Sequence, residues 1–402
     1  MSQEYEEFRK MLSFPVELRH EGRATFLSPI VPSTREFAPT SLPAFFNPAS
    51  KLSRDIAVLF LKAYFEDRKI SICEPLAGIG VRSIRLILET GLIDHALVND
   101  ISKNAYELIK VNAKINNVED KLEVSVLDAN ELLASRGRGK PRFDYVDVDP
   151  AGSPAKFMEN SFRGCGKNSI LGATATDLSA LTGSKPLSCL RKYDSYVMKT
   201  PFFKEVAVRV LAGFMVRTAA RIGLAAEPVF AFLKDYYTRV FVRVSPGIED
   251  AKKLLRQVGW IAYCPRCFTI YTYKIGEESI SCCPTCMKPI SSSGPLWLGR
   301  LCREEIVYKM HRHAYANLEL YREAAKLLEE ILQEDTSIVG YYPVNSIASI
   351  LKISPVKPKA IIDELRNRGY KSSTTHFDST AFKTEASSEV IKEMFLYMLS
   401  KK

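Results

Sequence analysis

The chain has 402 residues, a formal net charge of +10 and a sequence pI near 9.0. That length exceeds what one hydrophobic core ordinarily supports, so two or more domains are expected, and the basic balance favours a polyanionic partner such as RNA. The N-terminus lacks a signal-peptide core and the most apolar stretch, IAVLFLKAYF, is too short to cross a bilayer, so no membrane partner and a cytoplasmic location are expected.

Residues 1–47 are mixed in character. The proline-spaced part (Pro29, Pro32, Pro39, Pro43, Pro48) reads as extended coil forming a lid, not a domain. Next, SICEPLAGIGVRSIR (Ser71 to Arg85) passes from an apolar run through small residues into a helix-like pattern, which predicts a strand, a glycine turn and a helix. Gly78 and Gly80 let backbone approach a ligand, and the helix N-terminus behind them favours negative charge. A second apolar run, HALVND, ends in Asp100 about 20 residues later, the spacing at which a carboxylate binds ribose hydroxyls in nucleotide-binding βαβ units. A third, LEVSVLDAN, carries Asp128 and Ala129. A fourth, VDVDPAGSP, ends in Asp149 followed by Pro150. Each acid falls at the carboxyl end of a predicted strand, the edge along which doubly wound sheets bind ligands.

An acid followed by proline at such an edge can hold an amino group for methylation. An exocyclic base nitrogen shares its lone pair with the ring until hydrogen-bond acceptors hold its hydrogens out of plane. Alone, the pair would more simply read as a strand-end Asp capping the next helix, with Pro in its first turn. The three strand ends upstream favour the chemical reading.

SRGRGKPR (135–142) and CLRKYD (189–194) place cations on expected loops beside that edge. KEVAVRVLAGFMVRTAAR (204–221) reads as a core helix that needs no ligand, YTRVFVRV (237–244) as an antiparallel final strand, and GIEDAKKLLRQVG (247–259) as a helix. Cys264 and Cys267 form CPRC, Cys283 and Cys286 form CPTC, and 15 residues (268–282) separate the pairs, the pattern of a tetrahedral zinc ribbon. Four thiolates leave no open position, so the zinc is structural. The intervening FTIYTYKIGEESIS reads as a hairpin around Gly276. His311 and His313 are two apart on a predicted helix and form no metal pattern. The tail, VNSIASILK, ISPV, KPKAIIDELRNRG and KSSTTHF, reads as two short helices and a hairpin, an arrangement similar to a winged helix.

These motifs, together with FFNPASKLSRD (45–55), TATDLSALTG, CLRKYD, the Glu205 helix, GPLWLG and THFDSTAFKTEA, resemble a known family over nearly the whole chain. It is the tRNA guanine-N2 dimethyltransferases acting at position 26, within the Rossmann-like S-adenosylmethionine-dependent methyltransferases. The resemblance implies an α/β fold with a class I methyltransferase domain over 1–247. It further implies a C-terminal α+β tRNA-binding domain over 248–402, holding the zinc ribbon (260–289) and the winged-helix-like tail. It implies that Arg54, Arg82, Asp100, Asp128 and Ala129 contact S-adenosylmethionine beside the glycine loop at Gly78, with Phe45 close by. Asp149 is then expected to orient the guanine amino group and take up its proton.

One departure is Ala151, where the family usually has an aromatic residue on which a base could stack; Phe45, Phe46, Phe202 and Phe203 are candidate substitutes. Ala151 keeps open a target at another tRNA guanine or an adenine amino group, and a noncatalytic zinc-ribbon RNA-binding protein. No feature calls for an obligate protein partner.

Overall fold

The computed structural model describes residues 3–32, 39–136 and 140–400. Residues 33–38 of the proline-spaced segment and 137–139 of the basic run SRGRGKPR lie outside the described residues. The chain forms two compact units: Met1–Thr174 with Arg243–Ser245 and Tyr308–Ala325, and Ala175–Val242 with Pro246–Val307 and Lys326–Lys402.

The first unit opens with helix α1 (Gln3–Lys10) and a hairpin of β1 (Val16–Glu21) and β2 (Ala24–Pro29) turned at Gly22, in a stretch whose sequence reads only as mixed. Gly22 has φ +58, and a Cβ there would lie 2.1 Å from Glu89 Oε1. The outer edge of β2 is met by asparagines from far along the chain. Asn112 accepts from Leu27 N at 2.8 Å and donates to Leu27 O at 3.1 Å, and Asn116 accepts from Thr25 N at 3.0 Å.

Helix α2 (Lys51–Phe65) leads into the alternating run β3 (Ile70–Glu74), α3 (Val81–Thr90), β4 (Ile93–Asn99), α4 (Lys103–Ile115), β5 (Leu122–Ser125), α5 (Ala129–Ala134), β6 (Phe143–Val148), α6 (Met158–Gly164) and β7 (Cys165–Ala175). The five strands β3 to β7 are parallel in the order β5-β4-β3-β6-β7. Strands β3, β4 and β6 are buried over most of their length on both faces, as in a sheet covered on both sides. The order reverses between β3 and β6, which creates the crevice at the carboxyl ends where such sheets take ligands. This is the α/β architecture of class I methyltransferases.

The second unit contains short α7 (Leu178–Leu181), α8 (Pro186–Tyr193), the core helix α9 (Phe203–Arg221), and β8 (Leu224–Lys234) beside β9 (Tyr237–Pro246). A two-residue turn joins these last strands, so β9 is antiparallel to its neighbour, as its alternation predicted. CLRKYD is the end of α8 and not a loop: Cys189 and Tyr193 are buried while Leu190 and Arg191 stay exposed.

After α10 (Ile248–Leu255), strands β10 (Val258–Tyr263), β11 (Ile270–Lys274) and β12 (Ser291–Trp297) form an antiparallel sheet in the order β11-β10-β12. The hairpin expected around Gly276 is therefore placed differently. Strand β11 pairs back onto β10, Ile270 opposite Tyr263, so the CPRC knuckle itself is the turn; Glu277 and Glu278, poor strand formers, end the run. Helices α11 (Glu304–Tyr315) and α12 (Leu318–Leu332) follow.

In the tail, β13 (Tyr342–Pro343), α13 (Val344–Leu351), α14 (Pro358–Asn367), β14 (Ser372–Ser373), β15 (Ala381–Thr384) and α15 (Ser388–Ser400) enclose a core of Ile347, Ile361, Leu365, Phe382, Ile391 and Phe395. Phe268 of the first knuckle joins that core, and Thr269 bonds Ser388 at 2.6 Å between hydroxyls.

Candidate active site and cysteine cluster

Four parallel strands bring Glu74, Asp100, Asp128 and Asp149 to one edge of the first unit. Asn99 fixes the loops there. Its amide donates to Pro75 O at 3.0 Å and Leu127 O at 2.9 Å, and its carbonyl accepts from the Ser125 hydroxyl and Leu127 N. A buried asparagine with all these groups satisfied locks three strand ends in register.

Gly78 lies against Asp100: its N–H donates to Asp100 Oδ2 at 2.8 Å, while Ser102 N donates to Oδ1 at 3.0 Å. Burial raises the Asp100 pKa above the usual value, with the N–H groups of Ser102, Gly78 and Ile101 opposing it. Gly78 has φ +55, and a Cβ on it would meet Phe45 O at 2.4 Å, so the loop requires glycine.

Asp128 caps α5, with Oδ1 accepting from Asn130 N at 2.8 Å and Glu131 N at 3.3 Å. Both bonds fall on one oxygen and neither uses the N–H of Ala129, which is a first-turn donor outside the helix's own ladder. This acceptor beside a donor suits the amino group and ring nitrogen of an adenine.

Asp149 does not cap the following helix, which begins only at Met158. Its carboxylate accepts instead from Arg82 Nη2. Arg82 also lies 3.2 Å from Glu74 Oε1 and 3.4 Å from Asp147 Oδ2, and the Tyr145 hydroxyl donates to Asp147. Burial would weaken the hold of Arg82 on its proton, but Asp147, Asp149 and Glu74 outweigh it and keep the pKa above the ordinary arginine value. Burial, reinforced by Asp147 and opposed by Arg82, pushes Glu74 up to about 7.

Arg54 joins a different set. Its Nε and Nη2 donate to the two oxygens of Glu21 at 2.6 and 2.5 Å, and Nη1 and Nη2 each reach Asn47 O at 3.2 Å. Glu21, Glu74, Asn99 and Asp147 were missed from sequence. Glu74 and Asn99 are single polar residues closing apolar runs and Asp147 lies within one, whereas nothing local marks Glu21.

Ala151 is exposed. Of the four phenylalanines considered in its place, Phe46 and Phe202 are buried at 4% and 1% exposure, whereas Phe45 and Phe203 remain 36% and 41% exposed. In the second unit the sulfurs of Cys264, Cys267, Cys283 and Cys286 all lie within 4.8 Å of one another. Among the described residues no helix is long and apolar enough to cross a membrane.

Residues 22–396 match the family model of the N2,N2-dimethylguanosine tRNA methyltransferases. The chain belongs to this family. Its relatives include the tRNA (guanine(26)-N(2))-dimethyltransferase of Methanobrevibacter smithii, 34% identical over 88% of this chain and 91% of the relative. Another is the tRNA (guanine(26)-N(2)/guanine(27)-N(2))-dimethyltransferase of Aquifex aeolicus, 34% identical over 94% and 96%. Among solved structures, Trm1 from Pyrococcus horikoshii in complex with S-adenosyl-L-methionine superposes with a TM-score of 0.82 at 33% identity, covering 94% of this chain and 99% of that one. As a member of the dimethylguanosine tRNA methyltransferases, the chain carries its acid-proline pair with alanine in the next position.

Proposed function

We propose that this protein transfers methyl groups from S-adenosylmethionine to the exocyclic N2 amino group of guanine 26 in tRNA, adding two. The observation that carries the reading is the family match across 22–396 together with an Asp149 carboxylate positioned by Arg82 at the carboxyl edge of a parallel sheet. It finds no support for an adenine target or a noncatalytic role.

The cofactor supplies an electrophilic methyl group. The donor and acceptor set fits it: Asp100 offers a carboxylate for the ribose diol, Asp128 and the Ala129 N–H an acceptor and donor for adenine, Arg54 and Arg82 guanidinium groups, and Gly78 a backbone without side chain. Asp149 accepts hydrogen bonds from the guanine amino group, which localises the nitrogen lone pair toward the methyl, and then takes up the released proton. Arg82 holds Asp149 in one orientation, so the carboxylate is set before the base arrives.

We assign the chemistry to 1–247 and the grip on tRNA to 248–402, with the tail acting as a winged helix. The cysteines form a zinc ribbon over 260–289. Zn–S bonds of about 2.3 Å in a tetrahedron demand S–S separations of roughly 3.8 Å. The separations are 3.6 Å for Cys264–Cys286, 3.3 Å for Cys267–Cys283 and 3.9 Å for Cys267–Cys286, which fits. The metal is structural, and a tRNA substrate puts the enzyme in the cytoplasm.

The test is methyl transfer to unmodified tRNA by wild type and Asp149→Ala, with cofactor affinity measured in parallel. Transfer lost with affinity kept is expected; substantial transfer by the variant would overturn the assigned role.

A further inference from the structure

Arg54 has two edges with which a guanidinium can grip a carboxylate bidentately. Glu21 occupies one, Nε with Nη2, at 2.6 and 2.5 Å. The other, Nη1 with Nη2, is engaged by the Asn47 carbonyl alone, which both nitrogens reach at 3.2 Å, long for a charge-assisted bond, so a carboxylate can replace this single neutral acceptor on that edge. Both side chains are nearly sealed from solvent, Arg54 at 8% and Glu21 at 7% exposure.

Glu21 is itself held from behind. Arg85 donates to Glu21 Oε1 at 2.8 Å, pairs with Asp55 at 2.7 Å, and is gripped by Glu89 at 2.7 and 3.0 Å. The Tyr321 hydroxyl and Arg23 N donate to Glu89, and Lys51 pairs with Asp55 at 2.6 Å. The turn at Gly22 has no Cβ, which is what lets Arg85 and Glu89 come this close to the β1–β2 hairpin. Three cations (Lys51, Arg54, Arg85) thus interleave with three carboxylates (Glu21, Asp55, Glu89), and the set is neutral without any ligand. An interlocked cluster with no net charge fixes the direction of the Arg54 guanidinium without repelling a further acceptor at its second edge.

We infer that Glu21 is a positioning residue for the cofactor. By filling one edge of Arg54 it fixes the guanidinium plane, so that the Nη1–Nη2 edge is presented to the carboxylate of the methionyl group. This rests on the cofactor role proposed for Arg54 and adds to it a residue on the N-terminal hairpin. That hairpin then serves the cofactor site through a buried ion pair, not as a lid over it.

Calorimetric titration of the full chain with two ligands tests the inference: S-adenosylhomocysteine, which carries the carboxylate, and 5′-methylthioadenosine, which lacks the whole amino-acid end. Glu21→Gln is expected to weaken S-adenosylhomocysteine by tenfold or more while leaving methylthioadenosine within about twofold, and to add nothing in an Arg54→Met background. Glu21→Asp, which keeps the charge but withdraws it by one methylene, is expected to show the same selectivity with a smaller loss. Equal weakening of both ligands would make Glu21 merely structural and overturn the inference, as would unchanged S-adenosylhomocysteine affinity. Tighter binding would show that Glu21 competes for Arg54, and would overturn it too. If Arg54→Met binds S-adenosylhomocysteine normally, the cofactor reading of Arg54 fails; if only Glu21→Gln binds normally, that reading stands and this inference alone falls.

Discussion

Arg82 Nη2 donates directly to the carboxylate of Asp149, and the same guanidinium contacts Glu74 and Asp147, so one buried arginine faces three acids. Lysine cannot reproduce that planar fork. Arg82→Lys is expected to lower kcat by roughly tenfold to a hundredfold through misorientation of Asp149, at or below the lower end of what a positioned acid or base contributes, because the carboxylate itself is kept. Single-turnover methyl transfer at saturating cofactor checks this; an unchanged rate would mean Asp149 does not depend on Arg82.

The Glu74 carboxyl gives this cluster a pH signature. Its pKa rises from 4.5 to about 7, mainly through burial, so the folded chain keeps a proton that the unfolded chain gives up near pH 4.5. The stability from this group is complete below pH 4.5 and declines as pH rises toward 7. Glu74→Gln stays neutral throughout and is expected to flatten that part of the profile. Urea midpoints for both proteins between pH 4.5 and 7.5 measure it, and parallel profiles would contradict it.

The strand ends carrying Asp100, Asp128 and Asp149 were legible because each is a local signal, an apolar run that stops at an acid. The cysteine knuckles and the helices α13 and α14 were legible for the same reason. The β1–β2 hairpin was not. Its edge is satisfied by Asn112 and Asn116, more than 80 residues away, and its Glu21 finds its meaning only in Arg54 and Arg85. Nothing local in HEGRAT announces either partner. The ribbon hairpin was misplaced because alternation in FTIYTYKIG is compatible with a partner on either side, and the pairing with β10 is a tertiary choice.

A second buried cluster lies in the other unit, where Lys383 is 3.0 Å from Glu205 and 2.9 Å from Glu334, with Arg209 completing Glu205 and His376 completing Glu334, all at 0% side-chain exposure. Lys383→Met leaves two buried carboxylates without their shared cation and is expected to destabilise by about 3–5 kcal/mol in urea unfolding. Adding Glu334→Gln should recover part of it. A loss below about 1 kcal/mol would mean the cluster contributes little.

Removing zinc is expected to unfold the CPRC and CPTC loops and, through Phe268 and Thr269, to loosen the tail core they join. Metal analysis should give one zinc per chain, and chelation or Cys283→Ser should lower the melting temperature. A metal-free chain with an unchanged melting curve would contradict the structural assignment.

The most direct measurement uses two tRNA transcripts differing only at position 26, guanine or adenine, incubated with the enzyme and S-adenosylmethionine, then digested and analysed by mass. The account predicts N2,N2-dimethylguanosine from the guanine transcript and none from the adenine one. No methylated guanosine from either, or equal yield from both, would contradict it.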